Sequence, residues 1–250
     1  MMSTFEYLLK VREEKGAGYL VLLDPDRLSQ NAVTDHAQTC QSEGADAILV
    51  GSSLLLTSRF DEIVQRLKAC LDIPLIIFPG SSDQISPHAD AFLFLCLVSG
   101  RNPELLIGQQ VKAAPLLKAY GLEAISTAYL LVEGGRITTA EYMSNTRPIP
   151  RDKADIAMAH ALAAEYLGMK MVYLDAGSGA IHPVPDDMVA GVAGYISLPI
   201  IVGGGIRTPE EARRSVKSGA SFIVTGTILE QQVDRGLARE FADAVHIGRR

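Results

Sequence analysis

The chain has 250 residues, 48% of them hydrophobic and 21% charged, an ordinary balance for a globular protein with a large buried core. A net charge of -6 without any run of Lys or Arg argues against nonspecific nucleic-acid binding. No apolar stretch approaches the length of a membrane span, and the charged, amphipathic start MMSTFEYLLKVREEKGAGYL does not read as a signal peptide.

Short apolar runs then recur along the chain at Tyr19–Leu23, Ala47–Val50, Leu75–Phe78, Ala91–Leu97, Glu123–Leu131, Met171–Leu174, Ile200–Val202 and Ser221–Thr225. Their near-continuous apolar character predicts parallel strands buried on both faces. Helical patterns fill most of the gaps, at Ala32–Ser42, Phe60–Cys70, Pro103–Ala119, Ala154–Leu167, Pro209–Ser218 and Ile228–Ala244, with a weaker one at Asp186–Gly194. Eight strands alternating with helices over this length predict a single α/β domain spanning 1–250, a (β/α)8 TIM barrel rather than a doubly wound sheet. The pattern breaks twice. PGSSDQISPHAD, after Phe78, is too short and too rich in Gly, Pro and Ser for a helix, so the third helix is expected to be missing, leaving a groove. VEGGRITTAEYMSNTRPIPRDK, after the fifth strand, is long and polar, and reads as a lid or as a tolerated insertion. Cys40, Cys70 and Cys96 lie far apart, which predicts free thiols in a reducing cytoplasm. The five histidines lack metal-ligand spacing and receive no role.

The residues that carry chemistry fall at strand ends. IVGGGIRTPEEARRSVKSGASFIVTGT places Gly203, Gly204 and Gly205 after the seventh strand and Gly226 and Thr227 after the eighth. Glycine-ended strands let backbone N–H groups approach an anion, and these two loops commonly hold a substrate phosphate in such barrels. The helix opening at Thr208–Pro209 is expected to add its dipole to the same spot. Asp24, in LLDPDR, stands at the mouth end of the first strand and offers a hard oxygen to Mg²⁺, or caps the following turn; for Asp26 the capping role is preferred. Ser52 and Ser53, after the second strand, could ligate the same metal, contact phosphate or cap a helix. In YLDAGSGA, Tyr173 and Asp175 share a face, and Asp175 is a candidate general base for a substrate hydroxyl beside a donor-rich Gly177–Gly179 loop.

These motifs together resemble the geranylgeranylglyceryl/heptaprenylglyceryl phosphate synthases, within them the group with archaeal and Bacteroidetes-type members. The likeness extends through IPLIIFPGSSDQIS, FLFLCLVSGRNPELLIGQQ, EAISTAYLLVEGG and LGMKMVYLDAGSGA, nearly the whole chain. It implies a barrel without its third helix. It also implies an enzyme that joins a long prenyl diphosphate, geranylgeranyl diphosphate above all, to the 3-hydroxyl of sn-glycerol 1-phosphate, releasing diphosphate. Carried over by motif, Asp24 and Ser53 would hold Mg²⁺. Tyr173, Leu174, Asp175, Ala176, Gly177, Ser178, Gly179, Gly204, Gly205, Gly226 and Thr227 would hold the glycerol phosphate. The family usually has Glu where this chain has Asp175; the shorter side chain withdraws the carboxylate by about 1 Å, which matters for proton-transfer geometry.

The resemblance further implies a homo-oligomer, a dimer or dimer-based assembly, and a lipid product compatible with transient membrane contact. The prenyl tail would run in the groove beside the missing helix. Ile85, Phe92, Phe94 and Leu106 could line it, although on sequence alone they read more naturally as core. Two other readings stay open: a phosphosugar isomerase, epimerase or synthase using Asp24 and Asp175 as acid and base, and a non-catalytic phospholigand-binding barrel.

Overall fold

The computed structural model describes residues 2–27, 30–231 and 236–248. Eight parallel strands close into a barrel in chain order, β1 to β8: Gly18–Leu23, Ala47–Val50, Leu75–Ile77, Ala91–Cys96, Glu123–Leu131, Met171–Asp175, Ile200–Gly203 and Phe222–Thr225. Closure follows from pairing of β1 with β8, Gly18 opposite Phe222 and Val21 opposite Thr225. Along each strand side chains alternate. One set (Leu20, Leu49, Ile76, Leu93, Ile125, Met171, Ile201 and Phe222) fills the barrel interior. The other packs outward on the helices, as where Tyr19 stacks on Phe241 with ring centroids 6.0 Å apart. This two-sided burial is why the strands read as unbroken apolar runs.

The helices show matching patterns. In Phe60–Cys70 (α3), Phe60, Ile63, Val64 and Leu67 are buried at the spacing of one helical face. In Ala154–Tyr166 (α6), Ala157, Ala161 and Ala164 make a small-residue stripe that lets the helix lie close to the barrel. Pro209–Lys217 (α8) begins with Pro209 behind a Thr208–Glu211 capping box. Further helices are Gln30–Ser42 (α2), Gln109–Tyr120 (α4), Thr139–Ser144 (α5) and Asp186–Ala193 (α7).

Four findings refine the sequence reading. Thr4–Lys15 (α1) is a helix that the patterning did not single out. It seals the N-terminal end of the barrel, with Leu8 buried in the interior layer and the Thr4 and Phe5 N–H groups donating to the Glu123 carboxylate at 2.6 and 3.2 Å. The expected Pro103–Ala119 helix starts as a π-helix, Glu104–Gly108, before α4. The expected Ile228–Ala244 helix is two, Thr227–Gln231 (α9) and Leu237–Val245 (α10); part of the span between them, 232–235, lies outside the described residues. Finally, 78–90 holds no helix, as expected.

That helix-free loop is tied down by side chains instead. The Gln84 amide donates to Ser52 O at 2.7 Å and accepts from Ser52 N at 3.1 Å, and Ser86 Oγ donates to Asp61 at 2.7 Å. Its backbone packs so closely on the loop after β2 that a Cβ at Gly51 would lie 1.8 Å from Phe78 O. Among the described residues, no helix is long and apolar enough to cross a membrane.

Candidate active site

A cavity of about 1160 Å³ opens over the C-terminal ends of the strands and continues into the space left by the absent helix. Its volume lies just above the usual range of small-molecule sites, roughly 300–1,000 Å³. Asp24, Ser52, Ser53, Tyr173, Asp175, Ser178, Gly179, Gly204, Gly205, Gly226 and Thr227 all line it, so loops 150 residues apart in sequence converge as expected. Leu174 and Ala176 do not: strand alternation turns their side chains into the shell between barrel and helices, where each is at most 1% exposed. Gly177 is also off the cavity wall and acts through its backbone.

Asp175 is the inward residue at the end of β6, in register with Leu131 of β5 and Gly203 of β7. It is buried, 6% exposed, and both carboxylate oxygens are engaged. Tyr129 Oη donates to Oδ2 at 2.6 Å and Gly177 N–H donates to Oδ1 at 2.7 Å. Burial raises its pKa above the ordinary carboxylate range, and the two hydrogen bonds offset this only in part. Burial and the neighbouring carboxylate together hold the Tyr129 and Tyr173 phenols well above their usual range, so both stay neutral donors. Tyr173 stacks on Phe78 at 5.2 Å and meets the Tyr129 ring edge-on at 5.6 Å. This aromatic floor separates the polar mouth from the apolar interior.

The glycines are required by contact. Gly204, at φ +77°, would place a Cβ 2.4 Å from Asp175 Oδ1 and 2.5 Å from Gly177 N. At Gly203 a Cβ would stand 2.4 Å from the Tyr173 hydroxyl. Only bare backbone lets β7 run beneath the carboxylate and the ring.

The helix after the β7 loop opens on a capping box. In α8, Thr208 Oγ1 accepts from Glu211 N at 3.2 Å, while the Glu211 carboxylate accepts from Arg207 N and Thr208 N at 2.7 and 3.1 Å. The capping box engages the Glu211 N–H and the two N–H groups that precede the helix.

On the opposite wall, Asp24 Oδ2 accepts from Ser52 Oγ at 3.2 Å and lies 3.3 Å from Arg27 Nε, and Asp24 Oδ1 accepts from Asp26 N at 3.1 Å. Asp26 holds the loop after β2, accepting from Leu56 N and Thr57 N at 2.7 and 2.8 Å. One carboxylate with the Ser52 hydroxyl on it and Ser53 on the same cavity wall is a hard-oxygen set. It suits Mg²⁺, which takes one or two carboxylates and completes its shell with water and phosphate oxygens. No group of three His, Cys, Asp or Glu side chains with metal-binding geometry occurs among the described residues.

Ile85, Phe92 and Phe94 line the apolar arm of the cavity; Leu105, not Leu106, joins them. Both leucines lie in the π-helix Glu104–Gly108. The segment after β5 forms a further wall through Arg136, Thr139, Ala140 and Met143.

Two residues escaped the sequence reading. Tyr129 was discoverable from alternation along Ile125, Thr127 and Tyr129 in β5, which turns it inward. Arg27 reaches from the β1 loop to Thr227 Oγ1 at 3.2 Å and Ser178 Oγ at 3.4 Å, a crossing that no local pattern reveals.

Fold and site define a (β/α)8 barrel of the phosphate-binding type, with a buried carboxylate under the glycine loops and a long apolar arm. The chain belongs to the PcrB family, whose model matches residues 9–245. It is 51% identical over 236 residues to the geranylgeranylglyceryl phosphate synthase of Chitinophaga pinensis, covering 94% of this chain and 93% of that one. To the synthase of the same name from Thermococcus gammatolerans it is 44% identical, over 96% of this chain and 94% of the other. The crystal structure of (S)-3-O-geranylgeranylglyceryl phosphate synthase from Thermoplasma acidophilum, in complex with its substrate sn-glycerol-1-phosphate, superposes with a TM-score of 0.93 at 38% identity. It covers 98% of this chain and 99% of that one. A thiamine phosphate pyrophosphorylase from Pyrococcus furiosus, at 17% identity and a TM-score of 0.63, shares the fold alone.

Proposed function

We propose that the protein is a prenyltransferase that joins a long-chain prenyl diphosphate, geranylgeranyl diphosphate first among them, to the 3-hydroxyl of sn-glycerol 1-phosphate. The observation that carries this reading is the shape of one cavity. A polar mouth with glycine loops and a buried carboxylate runs directly into an apolar arm where the third helix is absent. A phosphosugar isomerase has no use for that arm. The family relatives carry the same activity in their names.

In this reading the phosphate of glycerol phosphate sits against Gly204, Gly205, Gly226 and Thr227, which presents the 3-hydroxyl to Asp175. The prenyl chain lies along Ile85, Phe92 and Phe94, with its diphosphate beside Asp24 and Ser53. The glycerol oxygen bonds to C1 of the prenyl chain as the C1–O bond to diphosphate breaks, and the hydroxyl proton passes to Asp175. The raised pKa makes Asp175 a stronger base than an ordinary aspartate. Asp24 and Ser53 would hold Mg²⁺, which supplies charge neutralisation of the departing diphosphate. We also read the protein as a cytoplasmic homo-oligomer that touches membranes at most transiently, consistent with its free cysteines.

The test is diphosphate release, followed with a coupled pyrophosphatase. Release that needs both sn-glycerol 1-phosphate and a prenyl diphosphate supports the transferase. Isomerisation of a phosphosugar without any prenyl donor would replace it.

A further inference from the structure

Arg27 is the one side chain that touches both halves of the polar mouth in the hydrogen bonds and ion pairs described above. Its Nε lies 3.3 Å from Asp24 Oδ2, on the wall assigned to the diphosphate. Its terminal nitrogens donate to Thr227 Oγ1 and Ser178 Oγ, on the wall assigned to glycerol phosphate. Those two hydroxyls are themselves 3.2 Å apart. A guanidinium and two hydroxyls therefore converge on a single point over the β6 and β8 loops.

We propose that Arg27 binds the phosphate of the acceptor substrate and ties that phosphate to the Asp24 wall. Three physical points support this. Arg offers a planar fork that can address a phosphate and a carboxylate at once. The protein is acidic overall, with a net charge of -6, and both substrates are anions, so the mouth needs a local cation. Arg27 is 42% exposed in its side chain, so it can rotate onto a ligand without leaving a buried charge behind. The other two arginines on the cavity wall differ: Arg207 is directed to Ala180 O at 2.9 Å, and Arg136 lies on the segment after β5. The proposal rests on the assignment of Ser178 and Thr227 to the phosphate side.

The experiment measures binding of sn-glycerol 1-phosphate and of inorganic phosphate, each alone, by ³¹P NMR titration without Mg²⁺ or prenyl donor. It compares the wild type, Arg27→Gln and Arg27→Lys, with thermal melts as a control for folding. Arg27→Gln should weaken both ligands about tenfold or more, as expected for loss of a charge-assisted hydrogen bond, and Arg27→Lys should recover part of the loss. In steady state, Arg27→Gln should raise the KM for glycerol phosphate far more than it lowers kcat. Binding by Arg27→Gln within twofold of wild type overturns the proposal whatever the activity. Loss of binding in Arg27→Gln, with a wild type that binds phosphate yet makes no prenyl product, supports Arg27 and removes the prenyltransferase reading. A wild type that binds neither ligand overturns both.

Discussion

Tyr129, on β5, donates a 2.6 Å hydrogen bond to Oδ2 of Asp175 on the neighbouring strand β6, whose other oxygen takes the Gly177 N–H. The pair fixes the carboxylate in one orientation and lowers a pKa that burial would otherwise raise further. A base in this position works only when deprotonated, so activity should fall as pH drops through a pKa above the ordinary aspartate range. Tyr129→Phe removes a stabiliser of the charged form and should move this acid limb to higher pH, with the alkaline side little changed. The pH dependence of kcat/KM checks it. An unchanged limb would separate Tyr129 from the proton transfer.

Asp175→Asn should lower kcat by about 10²–10⁴-fold, the usual worth of a positioned base, while glycerol phosphate still binds. Asp175→Glu, which restores the side chain usual in the family, should retain turnover. Single-turnover rates with both variants decide between a base and a packing residue.

Gly204 and Gly179 both have positive φ, +77° and +75°, yet they should respond differently to alanine. A Cβ at Gly204 meets Asp175 Oδ1 and Gly177 N, whereas a Cβ at Gly179 meets nothing within 4 Å. Gly204→Ala should therefore cost on the order of 3 kcal/mol and abolish glycerol phosphate binding, and Gly179→Ala should cost about 1 kcal/mol of backbone strain. Chemical denaturation combined with ligand titration measures both.

Asp24→Asn should reduce turnover by about 10²-fold or more, because the diphosphate wall loses its carboxylate. Glycerol phosphate affinity, measured without Mg²⁺, should stay within a few fold. Turnover that persists at the wild-type Mg²⁺ optimum would take Asp24 out of the metal site.

Away from the mouth, Asp46 is held at the barrel floor by Lys15 Nζ at 2.5 Å, His246 Nε2 at 2.8 Å and Tyr19 N–H at 2.7 Å. Burial alone would raise its pKa, but these partners outweigh burial and depress it. A carboxylate depressed in the fold contributes stability that is fully present above its unfolded pKa, near 3.8, and is lost as pH falls through the lower folded value. Asp46→Asn should thus cost on the order of 2–3 kcal/mol at pH 7 and flatten the acid end of the stability curve. Urea midpoints between pH 3 and 7 test this.

Much of this architecture was legible because buried parallel strands leave unbroken apolar runs, and glycine-ended strands mark where a barrel presents backbone to a ligand. The missing third helix showed as a segment too short and too rich in Gly and Pro between Phe78 and Ala91. What stayed hidden depends on contacts between distant segments or on departures from ideal helical phase. The floor helix α1 buries only Leu8 and Val11, too few to print a helical stripe. Leu105, in the π-helix, lies on the cavity wall, and Leu106 does not. The YLDAGSG motif implied seven consecutive contact residues, but alternation sends Leu174 and Ala176 outward. Arg27 meets Ser178 and Thr227 only because the barrel closes.

The most direct test of the central claim is incubation of the protein with Mg²⁺, labelled sn-glycerol 1-phosphate and a series of prenyl diphosphates, followed by phosphatase treatment and solvent extraction. The account predicts label in the organic phase, dependent on the prenyl donor and greatest for a long chain such as geranylgeranyl. Label that stays in water with every donor, while glycerol phosphate binds the glycine loops, would contradict it.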